Sequence, residues 1–144
     1  MAETYIIGRG IRGGMLEIGI KGRSERKVSP DMTAKAVGSG SLEVLATPVL
    51  ISMAESAASE SVAPFLDDGE STVGVRMEFE HVAPSPIGAV AICETELVKI
   101  DGRSLTFSIA ARDSTGRIGN GTHVRVRVDS ARFMTKAESR LRPR

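Results

Sequence analysis

The hydrophobic period of this chain switches once into a helical rhythm and then out of it, and that switch limits the folds open to it. From Pro48 to Leu66 the apolar residues Leu50, Met53, Ala54, Ala57, Ala58, Val62 and Phe65 fall on one side of a projection at ~100° per residue. Ser52, Ser56, Ser59 and Glu60 take the other side. Thr47 is suited to the N-cap position, and Pro48 suits the first turn, where its missing N–H costs nothing. Asp67-Asp68-Gly69 ends the helix. A lone helix with one apolar stripe has to bury it against a sheet.

The remaining patterned segments read as strands. Met15 to Gly22 alternates with period two and continues a basic leader into a first strand that ends near Val28. Residues 30–45, with Gly38-Ser39-Gly40-Ser41, read as a loop with short irregular structure. Val73, Val75, Met77 and Phe79 alternate with Gly74, Arg76, Glu78 and Glu80, so one face of that strand is predicted on the core. Ala83-Pro84-Ser85-Pro86 breaks it. A strand from Gly88 to Val98 turns at Asp101-Gly102, a second runs from Ser104 to Arg112, and a third returns from Ser114-Thr115-Gly116 through Val124, Val126 and Val128. The order strand, helix, four strands gives an α+β fold with a single curved antiparallel sheet wrapped around one central helix. One domain over residues 1–144 is expected, with 1–14 and 136–144 as flexible ends. Such a layout covers one sheet face with its own helix, and a homodimer with two-fold symmetry is the expected assembly.

Composition excludes several function classes. Hydrophobic residues make up 41% and charged residues 26%, as in an ordinary globular protein. A net charge of +1 leaves no electrostatic footprint for nucleic acid, and no stretch approaches the roughly 20 apolar residues that span a bilayer. Neither nucleic acid nor membrane is therefore an expected partner. The start, Met1-Ala-Glu-Thr-Tyr-Ile-Ile-Gly, lacks the pattern of a signal peptide, and Cys93 has no second cysteine to pair with, so a cytoplasmic location is expected.

Gly8-Arg9-Gly10-Ile11-Arg12-Gly13 matches the dinucleotide-binding pattern, but that motif needs a helix after its glycines and here a strand pattern follows. Three other polar residues carry more. Thr47 is explained by capping alone, yet a helix N-terminus also suits a carbonyl oxygen that gains negative charge. Glu55 sits at the margin of the apolar face, where it is either a partly desolvated base or a rim carboxylate paired with an arginine. His81 extends the core-facing series of its strand, as a hydrogen-bonded structural residue or as a proton carrier within reach of Glu55. Strict alternation turns His123, Arg125 and Arg127 away from Val124, Val126 and Val128. They form a basic strip that is either a solvated face or a partner for the phosphates of a cofactor-sized thiol ester. No metal set emerges, since His81 and His123 lie on different strands and the cysteine is isolated.

These residues also carry a family resemblance. The run Leu42-Glu43-Val44-Leu45-Ala46-Thr47-Pro48, the helix segment Met53-Ala54-Glu55-Ser56-Ala57, Ser71-Thr72-Val73-Gly74, His81 followed by Ala83-Pro84-Ser85-Pro86-Ile87-Gly88, and Gly119-Asn120-Gly121-Thr122-His123-Val124-Arg125 resemble the hotdog-fold thioesterases related to fluoroacetyl-CoA thioesterase. The match runs from Leu42 to Phe133. The resemblance implies Thr47, Glu55 and His81 as the catalytic set and Gly74 and Arg125 as residues lining the acyl pocket. It implies a dimer with its sites at the subunit interface, an acyl-CoA substrate, and no metal or cofactor beyond the CoA of the substrate. Where the family places lid aromatics, this chain has Gly38 and Ser41. A non-catalytic acyl-CoA-binding module and a hotdog hydratase or dehydratase remain as alternatives, although a hydratase would carry its histidine near the helix start, where this chain has Thr47.

Overall fold

The computed structural model describes residues 15–142; the glycine motif at 8–13 and most of the leader lie outside them. Five strands, β1 (Lys21–Lys27), β2 (Glu70–His81), β3 (Val90–Asp101), β4 (Ser104–Asp113) and β5 (Gly116–Asp129), form one sheet in the order β1-β3-β4-β5-β2. Every neighbouring pair is antiparallel. Gly102 (φ 60°) and Gly116 (φ 137°) close the two tight turns in the left-handed region, which a side chain would strain. β1 begins later than the alternation from Met15 predicts, because a turn at Ile18-Gly19, with φ 104° at Gly19, interrupts it.

The helical segment is α2 (Thr47–Val62), followed by a 3-10 turn over Ala63–Phe65. Between β1 and α2 the chain makes a 3-10 turn (Pro30–Met32) and one short helix, α1 (Ala34–Val37), that ends on Gly38 at φ 81°. The buried stripe of α2 is the predicted one: Leu50, Met53, Ala54, Ala57, Ala58 and Val62. Its N-terminal half packs on Val28, Ala91, Cys93, Ile109 and Ala111, and its C-terminal half on Leu97, Leu105 and Phe107. The alanines let the helix settle very close to the strands. A Cβ at Gly22 of β1 would lie 2.2 Å from the Ala57 carbonyl oxygen. No described helix is long and apolar enough to cross a membrane.

Three expectations are corrected. Val75 is a bulged extra residue, since Gly74 pairs with Arg125 but Arg76 pairs with Val124. The bulge reverses the alternation, so Thr72 is buried before it, Met77, Phe79 and His81 turn inward after it, and Val75 is 57% exposed. A second irregularity, at Ile118 between Ala111 and Arg112, places Ile118, Gly119, His123 and Arg125 among the buried residues of β5 and leaves Val124, Val126 and Val128 half-buried. The valines were the predicted core face, and the basic strip is the inward one. Finally, Ser130–Ser139 is a helix, α3, capped by the Asp129 carboxylate, which accepts from the Arg132 N–H. Its first residues fell in no predicted element, and its end lies in the predicted flexible tail.

β2 lies flat on β5 only because of glycines. A Cβ at Gly119 would meet Phe79 at 2.4 Å, and one at Gly121 would meet the Glu78 carbonyl oxygen at 2.1 Å. The second contact is with backbone and cannot be relieved by a rotamer change. Gly121→Ala should therefore cost about 1–3 kcal/mol of stability, read as a lower urea midpoint by circular dichroism. An unchanged midpoint would contradict this packing.

Candidate active site

The start of α2 departs from prediction in a way that matters for chemistry. Ala46 is the N-cap residue, with its carbonyl accepting from the Val49 and Leu50 N–H groups, and Thr47 is already helical. The Thr47 hydroxyl is thus not used on the helix backbone. It lies 2.7 Å from Nδ1 of His81, the last residue of β2. Burial holds the His81 pKa below its ordinary value, partly offset by the Ala83 backbone, so the ring is neutral near pH 7. Its Nε2 is buried and makes no hydrogen bond among the described residues. A cavity of about 340 Å³ opens beside the pair, lined by Ala34, Ser39, Val44, Pro48 and Val82 among others.

The segment around this cavity is anchored by a buried pair that pattern reading missed. Ser85 Oγ donates to the Asp113 carboxylate at 2.7 Å, and the Ser85 carbonyl accepts from the Leu45 N–H at 2.8 Å. The Ser85 bond, with those from Thr115, holds the Asp113 pKa below the usual carboxylate range despite burial. The chain after His81 is thereby tied to the end of β4 and to the entry of α2.

Glu55 lies elsewhere. Eight residues separate it from Thr47, about 12 Å along the helix axis, and it faces the β5–β2 edge of the sheet at Gly74. A Cβ at Gly74 would meet Glu55 Oε2 at 2.7 Å, His123 Cε1 at 3.1 Å and Arg125 Nη1 at 3.3 Å. Arg125 Nη1 is 3.9 Å from Glu55 Oε2, with the carboxylate side chain 44% exposed and the guanidinium 9%. The arginine-paired carboxylate is therefore the environment observed within one chain.

Arg125 is held by three further contacts. Its Nε donates to Thr72 Oγ1 at 2.8 Å, Nη2 to the Thr72 carbonyl at 2.9 Å, and Nη1 to His123 Nε2 at 3.1 Å. An arginine can only donate, so His123 Nε2 is an acceptor and Nδ1 carries the proton, which it gives to the Arg76 carbonyl at 2.8 Å. Burial, then the neighbouring Arg125 charge, keeps the His123 pKa low against the opposing pull of the Arg76 carbonyl and Glu55. Neither nitrogen of His123 is available to a phosphate. Thr72 has a sequence signal in hindsight, two residues before Gly74 on the same face, but the bulge hides which face that is.

The structure thus brings Thr47 to His81, and Glu55 to Gly74, Arg125 and His123. It does not bring the two groups together within one chain. Cys93, the single cysteine, is buried in the core with its thiol pushed up to about 12 by burial and by Glu94, and takes no part in either group.

Comparison with known proteins gives the lineage. Residues 28–131 match the family model described as fluoroacetyl-CoA-specific thioesterase. The fluoroacetyl-CoA thioesterase of Streptantibioticus cattleyicolor is 32% identical over 98 residues, covering 68% of this chain and 70% of the relative. A point mutant of the fluoroacetyl-CoA-specific thioesterase, solved with fluoroacetate and CoA, superposes with a TM-score of 0.78 at 27% identity, over 82% of this chain and 99% of that one. A hot-dog-like protein from Thermanaerovibrio acidaminovorans shares the fold, with a TM-score of 0.81 at 24% identity, over 88% and 94% of the two chains. On this match of family, sequence and fold, the chain belongs to the fluoroacetyl-CoA-specific thioesterase family.

Proposed function

We propose that the protein hydrolyses a small acyl-CoA thioester to the free acid and CoA at a site that two copies complete between them. The observation that carries this reading is the 2.7 Å contact between Thr47 Oγ1 and His81 Nδ1 at the positive end of α2. It accounts for a threonine spared from capping and for a neutral histidine beside a cavity.

Dimerisation is supported by the two sheet edges. β1 is seven residues long and carries five charged side chains, Lys21, Arg23, Glu25, Arg26 and Lys27, a composition that discourages strand addition. β2 is a twelve-residue edge with Val75 exposed. Antiparallel pairing of two β2 edges about a two-fold axis sets the Gly74 region of one against the far end of the other. Glu55 then meets the partner's Thr47 and the partner's His81. The orphaned His81 Nε2 gains a partner in the carboxylate or the substrate, as buried polar atoms require.

In this site the thioester carbonyl lies at the helix N-terminus, where the Thr47 N–H and the helix dipole support the oxyanion. Glu55 attacks as nucleophile or activates a water. The C–S bond breaks, water supplies the acid's hydroxyl, and His81 passes the remaining proton to the thiolate. Arg125, fixed by Thr72 and His123, orients the Glu55 carboxylate. Gly38, which ends α1 at positive φ, and the exposed Ser41 supply no ring over the cavity. Acyl groups larger than fluoroacetyl should therefore be accepted.

Glu55→Ala should lower kcat/KM on a panel of short acyl-CoA esters by ~100-fold or more, read as thiol release; retention of activity would sink the proposed role. Mixed and refolded, Glu55→Ala and His81→Ala chains should recover about a quarter of wild-type activity, since half the dimers then contain one intact site. No recovery from two stable variants would place each site within one chain. Because burial lowers the His81 pKa and the neutral ring is the working form, the acid limb of kcat/KM should fall below pH 6.5. A limb above that value would contradict a desolvated histidine.

A further inference from the structure

The basic strip on β5 does not stop at Arg125, and its far end forms a second site. Arg127, two residues on and on the same face, reaches a cavity of about 370 Å³ between the β3–β4 turn and α3. Arg103, Arg127, Arg132 and Lys136 line it, with Phe133 and one carboxylate, Asp129. Two of the cations are already engaged. Arg127 pairs with Glu70 at 2.7 Å and Asp67 at 3.7 Å, and Arg103 with Glu70 at 3.5 Å. Among the described residues Arg132 and Lys136 have no ion-pair partner. Lying four apart on α3, they share one face.

α3 buries no residue in the core. It is nevertheless fixed in place, by the Asp129 cap and by a Ser130 N–H bond to the Gly69 carbonyl at 2.9 Å. A capped helix that adds nothing to the core but holds two unpaired cations beside a 40%-exposed phenylalanine ring has the makings of a nucleotide phosphate site. The cations meet phosphate oxygens and the ring stacks on a base. The Asp129 carboxylate accepts from the Arg132 backbone N–H as the helix cap, and the four cations outnumber it around the cavity.

We propose that this cavity binds the phosphorylated adenosine end of the CoA ester, with Arg132 and Lys136 on the phosphates and Phe133 against the adenine. The inference rests on the thioesterase reading for its ligand. Along β5, four residues separate Arg125 beside Glu55 from Asp129 at the cavity, about 13 Å at strand rise. An extended pantetheine arm and diphosphate bridge a gap of that order, with the acyl group at Glu55 and the nucleotide on the same protomer's α3.

The test is calorimetric titration of adenosine 3′,5′-bisphosphate into the full-length protein and into Arg132→Ala/Lys136→Ala, whose fold is checked by thermal melting. Binding weakened about tenfold or more in the variant is expected. No binding to wild type, or equal binding to both, overturns the proposal. A second measurement compares a CoA ester with the matching S-acyl-pantetheine, which lacks the nucleotide. The wild-type preference for the CoA ester should shrink about tenfold or more in the variant. Equal kcat/KM for the two esters in wild type overturns the nucleotide site and leaves the thioesterase standing. Hydrolysis of neither removes the thioesterase, while the titration still decides the cavity.

Discussion

Both groups of candidate site residues depend on how closely α2 lies on the sheet. Its inner stripe is rich in alanine, and β1 crosses it at Gly22, where a methyl group would collide with the Ala57 carbonyl. Interiors pack at near-crystalline density, so a side chain inserted at that crossing would move the helix rather than be absorbed. With α2 so seated, its first turn reaches His81 at the end of β2, and its third turn brings Glu55 over the gap left by Gly74. Lifting the helix would separate both pairs at once.

The network beneath Glu55 orients more than it stabilises. A buried guanidinium is costly unless it is hydrogen-bonded, and three of the five N–H groups of Arg125 find acceptors, two in Thr72 and one in His123. The ion pair with Glu55 is long and the carboxylate is nearly half exposed, so solvent screens it and its own contribution to stability is small. Its effect is directional. The same residues stitch edge strand β2 to β5 at the bulge, the stretch of edge that a second subunit would meet.

Much of the fold was legible in the chain. The helical stripe from Leu50 to Val62, the meander of the last three strands and their turns all follow from period and from glycine placement, because these are local properties. The family too was legible, from short motifs around Thr47, Glu55, His81 and Gly119–Arg125. Less legible was the face on which side chains lie. A bulge adds one residue and leaves the alternation of residue types unbroken, so Val75 reads as a core position and Arg125 as a surface one, with the reverse observed. α3 carries an apolar stripe of Ala131, Phe133, Met134 and Ala137, but the stripe is short and buries nothing in the core.

The residue types at the site, and their order along the chain, were therefore determined by the sequence alone: a threonine and proline at a helix start, a carboxylate two turns on, a histidine at a strand end. Only the tertiary structure decided how they are used. It withheld Thr47 from capping by making Ala46 the cap, turned His123 and Arg125 inward through the bulges, and left Glu55 about 12 Å along the helix from the Thr47–His81 pair. Periodicity records which residues a single element can bury, whereas bulges, register and the distance between elements are set by backbone pairing and packing that no one segment encodes.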